Sequence, residues 1–189
     1  SSAASDVYKR QVYDFNPGWR FFKGDISGAE TVNFDDRSWE VVSTPHTVEL
    51  MPAEASGCRN YQGPVWYRKH FVVPAETKGQ RVSIHFEAAM GKQILYLNGK
   101  RIQEHIGGYL PFTLDLTTYG VQAGDSCLLA VFVDNSDDKS YPPGKRQYTL
   151  DFTYHGGIYR DVWMIAKSPI SITDASESQT VAGGGVFVH

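Results

Sequence analysis

Cysteine is scarce in this chain. Cys58 and Cys127 are the only two among 189 residues, too few for the disulfide framework of a small secreted scaffold. One bridge or two thiols fit the count, and free thiols are the expectation. No apolar run approaches the ~20 residues of a membrane span. Neither sign of charge dominates: 18 Lys and Arg face 21 Asp and Glu, a net charge of −3. The basic residues are scattered, which excludes the clustered positive surface of a nucleic-acid binder. The six histidines, at 46, 70, 85, 105, 155 and 189, show no pair at metal-ligand spacing. No Ser-centred nucleophile motif and no phosphate-cradling glycine loop is present. A convincing long helical period is missing too.

What the chain does have is aromatic residues, 13% of the total, which suit pleated, half-buried surfaces. Short apolar or alternating runs predict strands near 19–22, 65–73, 81–87, 92–97, 100–106, 128–133 and 160–165. Further extended pieces are read at Val41–His46, Thr113–Leu116 and Pro169–Ile172. Asn98-Gly99 is a strong hairpin signal. Asp35-Asp36 before Ser38-Trp39 reads as a short helical turn with an Asp cap. The segment from Glu49 to Gly63 is long and irregular. Asp134 to Thr149, polar throughout, is expected as a long exposed loop. Many short strands separated by turns argue an antiparallel β-sandwich, and eight or nine strands favour a jelly roll.

Residues 1–11 look foreign to this pattern. Asp6-Val7-Tyr8-Lys9-Arg10-Gln11 is similar to a translated adapter fused to a reading frame, with a natural disordered tail as the alternative. The folded unit is expected over 12–175. Residues 176–189 read as a linker and the first strand, Val186-Phe187-Val188-His189, of a following sandwich that is cut off. The compartment stays open, because an export signal could have preceded the leader.

The richest chemistry lies in Asp151-Phe152-Thr153-Tyr154-His155-Gly156-Gly157-Ile158-Tyr159-Arg160-Asp161-Val162. Carboxylates, an imidazole, a guanidinium and aromatics surround a Gly-Gly pair, and an apolar strand follows. Glycine pairs admit backbone conformations and close neighbours that other residues forbid. Asp151 and Asp161 are by type the pair of carboxylates that glycoside hydrolysis uses. Each also has a competing reading as an ion-pair partner of Arg160 or another base.

The Gly-Ile-Tyr-Arg-Asp-Val run resembles the sugar-binding domain of glycoside hydrolase family 2, which includes β-galactosidases and β-glucuronidases. Asp35-Asp36…Ser38-Trp39…Pro45-His46, Trp66-Tyr67-Arg68-Lys69, Leu97-Asn98-Gly99-Lys100 and Gly107-Gly108-Tyr109-Leu110-Pro111-Phe112 are similar to it as well. The resemblance covers roughly Phe15 to Ile172 and implies a jelly-roll, galactose-binding-domain-like fold. It implies that the catalytic acid and base belong to a separate (β/α)₈ barrel, so that no catalytic residue lies in this chain. It places an Asp of the sandwich on a hydroxyl of the terminal sugar: Asp151 by similarity to β-glucuronidases, Asp161 by similarity to large β-galactosidases, where that position also helps to hold sodium. Asn60, Tyr154 and His155 are further substrate-binding candidates, while Arg160, Gly156 and Gly157 are expected to brace the loop and the domain interface. A β-galactoside or related glycan is the implied ligand, and a barrel and Ig-like domains the implied intramolecular partners. An autonomous carbohydrate-binding module and a purely structural sandwich are the rival readings.

Overall fold

The computed structural model describes residues 10–52, 60–152 and 154–170. Its strands are β1 Gln11–Asp14, β2 Trp19–Lys23, β3 Glu40–Val42, β4 Pro64–Val72, β5 Arg81–Phe86, β6 Lys92–Leu97, β7 Lys100–Ile106, β8 Phe112–Asp115, β9 Ser126–Asp134 and β10 Val162–Lys167. They form a four-stranded sheet, β1-β10-β5-β8, and a six-stranded sheet, β3-β2-β4-β9-β6-β7. All pairings are antiparallel. The chain changes sheets between β1 and β2, β4 and β5, β5 and β6, and at each step from β7 to β10. This interleaving makes the sandwich a jelly roll. No α-helix occurs among the described residues.

The core lies between the sheets. Trp19, Tyr67, Ile84, Phe86, Leu95, Leu114, Leu129 and Val131 are fully buried there. β9 is apolar without alternation because both of its faces are covered. Leu129, Val131 and Val133 face the main core, while Ala130 and Phe132 pack outward with Trp66, Ala29 and Trp39. The outer cover is the 24–39 connection. Arg68, fully buried on β4, holds it down: its Nε donates to Asp36 at 2.7 Å, and its other nitrogens donate to the Ala29, Thr31 and Phe34 carbonyls. Burial raises the Asp36 carboxyl, but the hydrogen bonds from Arg68 and His70 outweigh it and hold the group below the ordinary carboxylate range. No helix forms at Asp35-Asp36. Instead Asp35 accepts from the Arg37 N–H and guanidinium, and Trp39 N–H closes a turn on the Asp36 carbonyl at 3.0 Å. Asp36 serves the buried arginine rather than a cap.

Neighbouring Lys69 points the other way. Its ammonium donates to the Phe15 and Pro17 carbonyls and lies 4.4 Å from the Phe15 ring centre. Arg68 and Lys69, adjacent and alternating in direction as a strand requires, thus tie one irregular segment to each face of β4. The Asn98-Gly99 hairpin forms as read, with φ of 51° and 84°, both positive as its turn type demands.

Differences from the sequence reading lie at the edges. β1 begins at Gln11, which pairs with Ala166. β10 starts at Val162 rather than at residue 160, because Arg160 and Asp161 belong to the incoming loop. Pro169 and Ile170 are not in a strand. The Ile172 end of that reading, the 176–189 linker and strand, Cys58, and most of the leader fall outside the described residues. Cys127 is a buried free thiol.

Candidate functional site

Four connections meet at one end of the sandwich: β3–β4, β5–β6, β7–β8 and β9–β10. The last carries most of the candidates; backbone hydrogen bonds tie it to β3–β4 and β5–β6, and the Tyr159 hydroxyl, donating to the Gly108 carbonyl, ties it to β7–β8. His46 N–H donates to Ile158 O at 2.8 Å and Val48 N–H to Gly156 O at 3.2 Å. Met90 N–H donates to Gly157 O and Glu87 N–H to Asp161 O, both at 3.0 Å. So Gly156–Asp161 runs as an irregular rail between the β3–β4 and β5–β6 loops.

The two glycines are there for space. A Cβ on Gly157, whose φ is +93°, would stand 2.3 Å from the Tyr67 hydroxyl. One on Gly156 would stand 2.6 Å from Asn135 Nδ2. Tyr67 is wholly buried; its hydroxyl shares a 2.8 Å hydrogen bond with His46 Nδ1 and accepts from Ile158 N–H. Burial pushes the Tyr67 phenol strongly up and the His46 imidazole down, so both stay neutral near pH 7. His46 therefore fixes the loop.

The two aspartates have unlike surroundings. Asp161 is half-buried, and its Oδ1 accepts from Asn16 Nδ2 at 2.9 Å, while Asn16 Oδ1 accepts from Val162 N–H at 2.8 Å. Asn16 and Asp161 thus close the seam where β1 meets β10. Asp151 is exposed and has no hydrogen bond or ion pair with a described residue. Neither pairs with Arg160, whose Nη2 lies 3.0 Å from Glu87 Oε2. Glu87 also accepts from Trp163 Nε1 at 3.1 Å, so Arg160 braces the loop onto β10 through Glu87.

Tyr154 is buried, not lining an open mouth. Its hydroxyl accepts from Tyr109 at 2.5 Å, and its ring sits with Met51, Met90, Leu150 and Tyr159. Burial, then the bond from Tyr109, drives its phenol pKa strongly upward. Phe152 and Tyr109, each about half exposed, flank it with ring centres at 5.3 and 6.1 Å. His155 is exposed and shares a 3.3 Å hydrogen bond with the Thr47 hydroxyl. Asn60 keeps both amide atoms buried and without a hydrogen-bond partner among the described residues.

The residue that sequence reasoning missed is Asn135, just after β9 and 3% exposed. It stands in the stretch read as a long exposed loop, where only Asn135 and Gln147 are buried. An asparagine directly after a strand buried on both faces is the one signal that could have marked it. At Asp161, the position expected to help hold sodium, one carboxylate oxygen accepts from Asn16 Nδ2.

Residues 19–169 match the family described as glycosyl hydrolases family 2, sugar binding domain. A β-galactosidase of Thermoanaerobacter pseudethanolicus is 35% identical over 92% of this chain and 25% of its own length. A β-glucuronidase of Formosa agariphila is 33% identical over 87% of this chain and 18% of its own. Among solved structures, Bacteroides uniformis β-glucuronidase 2 superposes with a TM-score of 0.73 at 34% identity, covering 84% of this chain and 18% of that one. A β-glycosidase from Bacteroides vulgatus superposes with a TM-score of 0.67 at 30% identity, covering 84% and 20%. The chain thus spans a quarter or less of each of these four proteins. With its two-sheet fold and a match across nearly all of the described sandwich, the chain belongs to the sugar-binding domain family of the family 2 glycosyl hydrolases.

Proposed function

We propose that this domain serves a retaining β-glycosidase of the β-galactosidase type, giving substrate contacts to an active site whose catalytic carboxylates lie in a barrel domain elsewhere in the parent protein. The observation that carries the sugar contact is Asp151, an exposed carboxylate without a partner among the described residues on the loop-built end of a family 2 sugar-binding domain, and the β-galactosidase type is favoured by the 35% identical β-galactosidase. A carboxylate only accepts hydrogen bonds, and bonds to a charged acceptor are the stronger ones. That chemistry suits a sugar hydroxyl. Asn60 sits in a neighbouring loop of the same end, its buried amide without a hydrogen bond to a described residue, which suits a group that another domain or a ligand completes. His155 lies on the exposed side, and Tyr154 packs against Phe152, the residue after Asp151. Asp161, engaged by Asn16, is assigned to the seam between β1 and β10.

A β-glucuronidase is the second reading, favoured by the β-glucuronidases among the similar proteins and by Asp151, whose position resembles theirs, being the aspartate left without a partner among the described residues. The test compares wild type with Asp151→Asn in the full-length enzyme on nitrophenyl β-galactoside and β-glucuronide. Loss of a hydrogen bond to a charged group costs about 1.5–3 kcal/mol, roughly a 10- to 150-fold fall in kcat/KM. The fall should shrink for a deoxy analogue lacking the contacted hydroxyl. Equal kcat/KM for variant and wild type on every substrate would refute the sugar contact, and faster turnover of the glucuronide would replace the galactosidase reading.

A further inference from the structure

We infer that Asn135 is the positioning residue of this site, one buried amide that sets where the sugar-directed loops stand. The inference rests on the reading of Asp151 and Asn60 given above. Asn135 Oδ1 accepts from Gly63 N–H at 2.9 Å, and its Nδ2 donates to the Tyr61 carbonyl at 2.8 Å. Both bonds grip the segment directly after Asn60. Its own carbonyl accepts from Gln147 Nε2 at 2.6 Å. Gln147 opens the 3₁₀ turn Gln147–Thr149, whose Leu150 N–H returns to the Gln147 carbonyl at 3.0 Å, and Asp151 comes next. On the other side of Asp151, Gly156 lies against the Asn135 amide so closely that a Cβ would meet Nδ2 at 2.6 Å. Asp151 therefore rides on a hoop whose two feet, Gln147 and Gly156, both stand on Asn135, and the Asn60 loop stands on it too.

The lower strut repeats the logic. Asp137 Oδ1 accepts from Gln147 N–H at 2.9 Å and from Gln62 Nε2 at 2.8 Å, so the same two loops are joined again at the surface. This second tie is exposed on the Gln62 side, where competing water weakens it. The Asn135 contacts are shielded, and a buried amide with its bonds made holds one geometry because every alternative leaves a polar group unpaired. Amide geometry also explains the choice of side chain: Asn offers one acceptor and one donor in a plane, which a carboxylate or hydroxyl of this length does not.

A double-mutant cycle in the full-length enzyme tests it. Asn135→Ala should lower kcat/KM about tenfold in the native background but less than about twofold when Asp151→Asn is already present, since coupled residues are not additive. The melting temperature should drop by the same amount in both backgrounds, so that a merely structural role would give equal kinetic losses in both. If Asn135→Ala fails to fold, Asn135→Asp keeps the shape and the acceptor for Gly63 while removing the donor to Tyr61, and the same non-additivity is expected on a smaller scale. Equal fold-losses in both backgrounds, or no loss, overturn the positioning role. If Asp151→Asn alone has no effect, the reading of Asp151 fails, and the cycle with Asn60→Ala decides Asn135: coupling supports it and additivity overturns it.

Discussion

Two long irregular segments dress this sandwich, and they are built on opposite plans. The 24–39 connection lies on the outer face of the six-stranded sheet. It contributes Ala29, Phe34 and Trp39 to a second small core and offers three carbonyls and Asp36 to the buried Arg68. Its buried charge is matched from within. The 135–161 connection caps one end of the sandwich and is held at its centre by neutral groups, the amides of Asn135 and Gln147, the phenol of Tyr67 and two glycines in tight spaces, with charged ties from Asp137, Arg160 and Asp161 beside them. One carboxylate is left over, since Asp151 has no partner among the described residues. A loop whose buried charges are matched by its own sheet is structural. One that is fixed without using one of its carboxylates keeps that carboxylate for something outside the domain.

The largest expected effect breaks the first plan. Asp36→Ala leaves the Arg68 guanidinium buried and unpaired, and should cost about 3–5 kcal/mol, read by chemical denaturation. A loss under about 1 kcal/mol would mean that the three carbonyls alone satisfy Arg68 and that the plans differ less than their charges suggest. Next, Gly157→Ala forces a Cβ into the Tyr67 hydroxyl at a left-handed φ of +93°. Strained backbone of this sort costs about 1–3 kcal/mol, before the displaced Tyr67 is counted. Unaltered stability there would show that the second loop is held elsewhere.

A subtler separation concerns the two aspartates. Asp161→Ala should reduce stability by roughly 1.5–3 kcal/mol, as expected for a hydrogen bond to a charged group, and change kcat/KM alike for all substrates. Asp151→Asn should leave the melting temperature in place and act on kcat/KM selectively. Exchange of these two signatures would reverse their assignment.

The smallest effect is on pH dependence and probes the other anchor of β4. Burial pushes the Lys69 ammonium down to about 8, against the opposing pull of Asp14. Between that value and the ordinary lysine range near 10.5, the unfolded chain binds a proton that the folded one has released. The unfolding free energy should therefore rise as pH climbs from about 8 towards 10. Above 10 the buried phenols of Tyr67 and Tyr154, raised by burial, pull the other way, because the unfolded chain loses protons that the folded one keeps. Denaturation of wild type and Lys69→Met across this range should show the rise in wild type alone.

How much was legible beforehand follows from the range of each signal. Alternation in Arg81–Phe86 and the Asn98-Gly99 turn are local, and the strands and hairpin stand where they point. β1 escaped the strand reading, and β3 was met only by the start of the Val41–His46 piece, because both are short edge strands with exposed faces, so pairing rather than apolarity makes them strands. The Gly156-Gly157 pair was marked as a place of close approach, which local chemistry allows one to say. That the neighbours are Asn135 and Tyr67 depends on residues far away in the chain.

By itself the sequence determined the all-β class, the hairpin, the buried central strand and the concentration of polar chemistry between Asp151 and Asp161, since each depends on residues adjacent in the chain. Only the tertiary structure decided which carboxylate is engaged. Asp161 meets Asn16 because β1 lies beside β10, whereas Asp151 stands on a hoop set by Asn135 with its charge turned to solvent. Two aspartates of the same type, ten positions apart, differ in role because an ionised carboxylate is structural or available according to the donors that folding brings to it.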